Sequence, residues 1–559
     1  MKFGILCNGY EFQRWQAESI LHLINHGIIP CVLIINDNAL PVQSTFQKWS
    51  NYPYSKLLAR VFFHYLSHPV SKYPVSLHDE LKQVPVIKCR TLNKVLGEYF
   101  KSADIEAIKA FEPDFLLRFG FDILKGEILK AAHYGVWSYH HDDEQKYRGV
   151  PPGFWEIYKS DPVNGAILQR LTETLDGGII LRKGYFGTVN HSWSGNIDKL
   201  YFGTTLWPLQ VCKDIENGVA EYISYAPSSA KGKLYRMPGN LPMFLFIVRL
   251  IANKIRFHLR DLLLCEIWNI AIVKVPIHTF LDSESGWPEP YWLGKNKYGK
   301  YKADPFGFLQ GRKLFVLFED YNYREHIGKL SVLQINTPEL KASPPKEMLN
   351  TGYHLAYPFV FTHNGEWYCM PETANNMSLD LYRFDPNLQS LTYLTTLLTG
   401  IAAVDATLCN YNGFWWLFFT QKGSTNDTLY ICYSDKLFGP YQPHANNPVK
   451  TDICSSRPAG TLFIHEGELY RTAQNCSKTY GGNVNICHIT EITPASFKEE
   501  IVSFVMPFGR HNWNKGLHTL CSVGEYTLID GKRHTFIFAS FLRQLKQKLL
   551  RIVRKNANG

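Results

Sequence analysis

The strongest constraint on the fold is a unit in the second half of the chain that recurs at a spacing of about fifty residues. Its five copies are Asp304-Pro305-Phe306 leading to 313–318, Pro358-Phe359-Val360 leading to 366–369, Asp405-Ala406-Thr407 leading to 414–419, Pro458-Ala459-Gly460 leading to 468–472, and His518-Thr519-Leu520 leading to 526–529. Each has a lead residue at the start of a strand, a glycine-containing turn, and then an aromatic-rich strand. A lone hairpin cannot bury its apolar face, so such units must stack on one another. The period is that of one four-stranded propeller blade. Five copies predict a five-bladed propeller with the lead residues around its central channel; a different β-solenoid is the alternative.

The first half has a different rhythm. Residues 1–225 alternate strand and helix patterns: strands at 3–7, 30–35, 114–119 and 135–139, and helices at 15–26 and 125–132. Alternation of this kind predicts an α/β, doubly wound parallel sheet that binds ligands at the carboxyl ends of its strands. At 559 residues the chain exceeds what one core supports. The expected divisions are 1–225 for the α/β domain, 226–268 for a turn-rich linker and basic helical segment, 269–538 for the propeller, and 539–559 for a basic C-terminal helix.

A hydrophobic fraction of 45% with 14% aromatics excludes a disordered chain. Twelve cysteines without a C-x-x-C pair fit a reducing compartment better than a zinc ribbon or a disulfide scaffold, and no metal site is expected. Met1-Lys2-Phe3-Gly4-Ile5-Leu6-Cys7 reads as a buried strand, not a secretory signal. The longest apolar run, near 243–252, is cut by Arg249 and is too short to span a bilayer. A cytoplasmic location is expected.

Chemistry is concentrated between residues 135 and 181. Ser138-Tyr139-His140 ends a strand, Tyr147-Arg148-Gly149 follows, and Leu175-Asp176-Gly177-Gly178 comes later. An imidazole at a strand end can take a proton from an attacking amine, and a buried carboxylate can orient it. Phe119-Gly120 ends the preceding strand, where it can line a pocket or simply pack the core.

This ordered set resembles the formyltransferase family, which includes methionyl-tRNA formyltransferases and amino-sugar N-formyltransferases. The resemblance covers roughly residues 1–210. It implies a Rossmann-like domain that transfers a formyl group from 10-formyltetrahydrofolate, as co-substrate, to an amine. It assigns His140, Asp176 and Ser138 to catalysis, and Phe119, Gly120, Arg148 and Gly149 to the co-substrate site. Two departures stand out. Ser138 replaces the family's Asn, and Asp142-Asp143-Glu144-Gln145 replaces an apolar segment, which changes the electrostatics of the pocket and disfavours a polyglutamate tail. His141, with no family equivalent, is a candidate for the missing donor.

The second half resembles the propellers of family 43 glycoside hydrolases and the related N-terminal domain of glucosamine inositolphosphorylceramide transferases. The resemblance makes Asp304 and Asp405 channel acids. The fourth unit opens with Ser455-Ser456-Arg457-Pro458 and lacks the hydrolases' Glu, for which Glu372 or Glu319 are candidate substitutes. Carbohydrate binding is assigned to Asp304, Glu372, Asp405, Arg457 and His518.

Finally, residues 541–555 place Leu542, Leu545, Leu549 and Ile552 on one helical face among basic residues, which suits an anionic membrane surface at the inner face of the membrane. No basic groove interleaved with aromatics is present, so nucleic acid is not expected. The combined expectation is formyl transfer to an amino sugar of a cell-surface polysaccharide, carried free, on a nucleotide or on a lipid, with the propeller holding the carbohydrate. The alternative is a carbohydrate-active site in the propeller beside a degenerate first domain.

Overall fold

The computed structural model describes residues 1–38, 53–94, 97–174, 177–282, 286–337, 339–509 and 512–557. The chain divides into two compact units, Met1–Lys254 and Ile255–Gly559.

The first unit is built on seven strands: β1 (Lys2–Cys7), β2 (Ile29–Asn36), β3 (Val86–Cys89), β4 (Phe115–Arg118), β5 (Val136–His140), β6 (Val163–Arg170) and β7 (Ile179–Gly187). Their order in the sheet is β7-β6-β5-β4-β1-β2-β3. Strands β1 to β5 are parallel. Helix α1 (Arg14–Asn25) buries Trp15, Ala17, Ile20 and Leu23 beneath them, as its spacing of apolar residues requires. The chain winds from β1 outward to β3, then restarts on the other side with β4. The carboxyl ends of β1 and β4 therefore flank the crevice where such sheets bind ligands.

Two features differ from the expected parallel sheet. Strands β6 and β7 are antiparallel to their neighbours, adding an antiparallel edge. The connection between them is too short for the crossover that parallel pairing needs. Gly178 sits where a Cβ would lie 2.6 Å from the Arg170 carbonyl, so the chain doubles back tightly. The helix expected at 125–132 is a 3₁₀ segment, Gly126–Lys130. Gly126 opens it at φ +76°, and it ends before a full α-helix can form.

The second unit is a five-bladed propeller, and each of the five sequence copies supplies the first two strands of one blade. Blade one begins Lys300–Gln310 and Lys313–Asn322, blade two Ala356–His363 and Glu366–Glu372, and blade three Ala403–Tyr411 and Phe414–Gln421. Blade four runs Phe463–His465, Glu468–Asn475, Asn483–Ile492 and Phe497–Val505. Blade five joins Leu520–Val523 and Tyr526–Thr535 to two earlier strands, Cys265–Val273 and Tyr291–Trp292. The ring is thus closed by pairing Cys265↔Thr535 through Val273↔Thr527. Two long helices complete the description, α2 (Asn240–Leu263) and α3 (Phe538–Ala557).

The inner strands of blades one to three are not regular. Register shifts fall between Ala303 and Phe306, between Ala356 and Phe359, and between Val404 and Thr407. At these bulges Asp304, Tyr357 and Asp405 adopt φ of 50°, 44° and 51°. The left-handed region is costly for residues with a Cβ and is held there by surrounding structure, a pattern common at functional sites. Blade four solves the same problem with Gly460, where a Cβ would lie 1.9 Å from the Leu520 carbonyl.

Blade four is pinned by a buried ion-pair group. Arg471 donates from Nε to Glu499 Oε2 at 2.9 Å and from Nη2 to Oε1 at 2.5 Å, and Lys450 Nζ reaches Oε1 at 2.8 Å. Burial favours the neutral acid, but Arg471 and Lys450 outweigh it and hold the Glu499 carboxyl at about 2. Removing one member leaves buried cations uncompensated, so Glu499→Gln is expected to destabilise the unit by about 3–5 kcal/mol in chemical denaturation. A carboxyl depressed on folding stabilises above its unfolded pKa. The parent is therefore expected to lose this contribution as pH falls from about 4.5 toward 2, and the variant to lack that loss.

Candidate functional site

In the propeller, the bulged inner strands turn acids into the channel. Asp304 is the first. Its Oδ2 accepts from Tyr357 N at 3.2 Å and its Oδ1 from Thr519 Oγ1 at 3.2 Å. His518 Nε2 lies 3.6 Å from Asp304 Oδ1, while its Nδ1 meets Asp530 Oδ2 at 2.5 Å. Asp530 also accepts from the backbone N–H groups of His518, Thr519 and Asp304 at 2.9, 3.2 and 3.3 Å. One carboxylate thus ties the lead residues of blades five and one together.

Asp405 forms the second centre. Its Oδ2 accepts from Arg457 Nε at 2.6 Å and from Gln474 Nε2 at 2.8 Å. Arg457 also donates to Asn426 Oδ1 at 3.1 Å and lies 4.7 Å from the centroid of the Tyr480 ring. Glu372 Oε2 accepts from Asp405 N at 3.4 Å, which places it beside the same centre. Glu319 is buried on the second strand of blade one, 3.7 Å from His354 Nε2.

Burial raises the Asp304 carboxyl to about 6, against the pull of His518. Burial also raises Glu372 to about 8, with Asp405 adding to it and Arg457 opposing it. Glu319 is pushed up by burial and then by Asp304 and Glu372. For His518, burial alone would lower the imidazolium, but Asp530 and Asp304 hold it above the ordinary histidine range. The channel therefore pairs an imidazole that holds its proton more firmly than usual with carboxyls that keep theirs to unusually high pH, a pattern that clusters at functional sites.

The structure brings the five residues assigned to carbohydrate together around this channel. It adds Asp530 and Tyr357, which the sequence did not single out, and Lys532. The last is fully buried and donates from Nζ to Glu266 Oε1 at 3.0 Å and to Thr479 Oγ1 at 3.1 Å. An acid and a lysine two residues apart within an apolar strand are a legible signal, because neither is normally buried without a partner.

In the first unit, His140 ends β5, one strand from the crevice, with Nε2 3.9 Å from Asp142 Oδ2. Asp176 lies outside the described residues. Ser138 is buried and its Oγ accepts from Arg118 Nε at 3.1 Å, so its hydroxyl is occupied by the neighbouring strand. Phe119 packs edge-on against Trp15, and Gly120 N donates to the Leu6 carbonyl at 2.7 Å. A Cβ at Gly120 would lie 2.7 Å from the Cys7 backbone, so glycine is required where β4 meets β1. Arg148 donates to the Ala230 carbonyl at 3.0 Å, and Gly149, at φ +103°, abuts the Tyr235 carbonyl. Both lie on a short strand, Tyr147–Gly149, paired with Lys233–Tyr235 and outside the main sheet.

The residues after His140 fold inward. His141 is buried between Trp15, Tyr139 and Tyr201, with Nε2 3.2 Å from Thr204 Oγ1. Burial pushes its pKa down to about 3, so it is a neutral packing residue and not an exposed donor. Lys183 Nζ binds Asp143 Oδ1 at 2.9 Å and Glu144 Oε2 at 3.0 Å.

With these geometries in place, the comparisons with known proteins fall on both kinds of chemistry. Residues 294–523 match the family model for "Glucosamine inositolphosphorylceramide transferase 1, N-terminal". The chain is similar to glucosamine inositolphosphorylceramide transferase 1 of Oryza sativa subsp. japonica, 35% identical over 248 residues that make up 42% of this chain and 33% of that protein. It is also similar to the methionyl-tRNA formyltransferase of Agathobacter rectalis, 30% identical over 124 residues, 22% of this chain and 40% of that protein. The matches thus span well under half the length of either relative. Among solved structures, an exo-β-1,3-galactanase from Clostridium thermocellum overlays with a TM-score of 0.31 at 15% identity, over 39% of this chain and 56% of that one. The chain therefore carries likeness to two transferase families, one of them confined by its family model to the propeller.

The raised Glu372 gives a direct test of the channel's electrostatics. A carboxyl raised on folding keeps its proton in the native state while the unfolded chain has lost it, so stability falls as pH rises between the two values. Between about pH 4.5 and 8, Glu372 is expected to contribute a slope approaching 1.4 kcal/mol per pH unit. In Glu372→Gln that slope is expected to flatten, read as thermal transitions across a pH series.

Proposed function

We propose that the protein is a formyltransferase that acts on the amine of an amino sugar, with 10-formyltetrahydrofolate as formyl donor and the propeller holding the carbohydrate. The observation that carries this reading is the position of His140, at the carboxyl end of a parallel strand one strand from the crevice of a doubly wound sheet. The likeness to a methionyl-tRNA formyltransferase supports the acyl chemistry. The propeller's likeness to a transferase whose name includes glucosamine supports an amino sugar as acceptor, free, nucleotide-linked or lipid-linked.

The residues present fit such a donor: an imidazole at the strand end and a carboxylate 3.9 Å from it suit removal of a proton from an amine. 10-Formyltetrahydrofolate supplies the activated one-carbon unit. His140 accepts the proton of the attacking amine, and Asp142 stabilises the imidazolium that results. Asp176 retains the orienting role that the sequence resemblance gives it. In the propeller, Asp304, Glu372, Asp405, Arg457 and His518 bind sugar hydroxyl groups and set orientation. The place of action is the cytoplasm.

A second reading has one observation in its favour. Asp304, Glu372 and Asp405 are gathered as buried carboxyls in one channel, and a pair of carboxyls is what glycosidic bond chemistry uses. The two readings separate experimentally. Full-length protein given 10-formyltetrahydrofolate and amino-sugar nucleotides is expected to release tetrahydrofolate. His140→Ala is expected to lower that rate by about 10²–10⁴-fold, and Asp304→Ala to raise the KM for the sugar while sparing kcat. Glycan cleavage without folate turnover, lost in Asp304→Ala and intact in His140→Ala, would overturn the first reading in favour of the second.

A further inference from the structure

Helix α2 is apolar on two opposite sides, and only one of them is covered. Met243 and Phe246 are buried against the first unit. About half a turn away, Leu241, Phe244, Leu245, Val248, Ile251, Ile255 and Leu259 form a stripe at helical spacing along the whole element, each 46–69% exposed. A 24-residue helix is about 36 Å long, so this is an extended apolar ridge left in water. Arg249, Arg256 and Arg260 follow one edge of the stripe, and all three are exposed.

Helix α3 repeats the pattern. Phe538, Leu542, Leu545 and Leu549 lie on one face and are 37–58% exposed, with Arg543 and Lys546 beside them. Its Lys548 Nζ meets Asp261 Oδ2 of α2 at 2.9 Å and donates to the His258 carbonyl at 3.4 Å. The two helices are therefore joined at the last turns of α2.

We propose that α2 and α3 each present a face that docks onto an anionic lipid bilayer. The inference is independent of the chemistry assigned above. Charge selects the occupant. The two helices carry ten lysines and arginines against one acid, Asp261, and that acid is engaged by Lys548. Apolar stripes flanked by cations match the boundary between acyl chains and anionic headgroups, where apolar side chains insert and basic ones meet phosphate or carboxylate. A protein partner for so basic a pair of ridges would have to be strongly acidic and apolar at once. No helix among the described residues is long and apolar enough to cross a membrane, which is consistent with helices that lie in the interface plane.

The test is co-sedimentation of the full chain with phosphatidylcholine vesicles, with and without phosphatidylserine, at low and high salt. Binding is expected with phosphatidylserine at low salt and is expected to fall as salt screens the charges. Val248→Asp combined with Ile255→Asp is expected to abolish it, since both positions are exposed and the folded core is untouched. Arg543→Glu with Lys546→Glu is expected to weaken it by tenfold or more. Circular dichroism and thermal transitions matching the parent confirm folding, and the second variant serves if the first misfolds. Absence of binding, or binding indifferent to phosphatidylserine and salt, would overturn the proposal. So would a concentration-dependent dimer lost in the Val248/Ile255 variant without any pelleting on vesicles, because the stripe would then be covered by a second copy of the chain.

Discussion

Everything in the propeller depends on a strand that arrives early in the chain and is used last. Cys265–Val273 pairs along its full length with Tyr526–Thr535, and that antiparallel ladder is what makes five blades a ring. The closure does more than remove an open edge. It stacks Trp268 on His518 at a centroid distance of 3.8 Å and sets Glu266 against Lys532. It also fixes the strand that carries Asp530, whose carboxylate reaches backbone N–H groups in blades five and one. Without the closing strand, His518 would have neither its stacking partner nor a rigid carboxylate to hold it charged.

The channel gathers many acids in unlike surroundings. Asp405 is met by Arg457 and Gln474, and Asp530 by His518 and three N–H groups, so each has donors enough for a carboxylate. At Asp304, Glu372 and Glu319 burial outweighs the partners present and drives the carboxyls toward the neutral acid. Strain and charge meet at the same positions. Asp304 and Asp405 sit at left-handed bulge residues, where the backbone turns their side chains into the channel instead of leaving them to alternate along the strand.

The propeller was legible because its signal is a repeat, and a repeat survives local ambiguity: each copy of lead residue, turn and aromatic strand became the first two strands of a blade. What failed to show was local. The aromatic run that marks the last copy stops at Ile529, short of Asp530. The strand in fact continues to Thr535, and Gly531 is there because a Cβ would lie 2.4 Å from Trp292. The glycine serves a close approach within the strand, and the anchoring acid lies just past the repeat signal. The parallel sheet was legible from alternation, whereas the direction of the two edge strands, antiparallel in the pairs Trp137↔Arg170 and Val163↔Gly187, is not encoded in the pattern of apolar residues.

The acidic run after His140 changes meaning once it is folded. As sequence, Asp142-Asp143-Glu144 looks like three charges at the rim of a pocket. In the structure all three are buried, and the chain at Asp143 lies so close to β6 that a Cβ on Gly165 would come within 2.8 Å of the Asp143 Cα. Lys183 on β7, paired opposite Ile167 of β6, delivers its ammonium to Asp143 and Glu144. Burial opposes that charge, but the two carboxylates outweigh it and raise the lysine pKa. Two of the acids are thus consumed in holding the loop. The third, Asp142, is the carboxylate nearest His140. In the proposed reaction Asp142 is the counter-ion of the imidazolium, while Asp143 and Glu144 hold the loop that carries it.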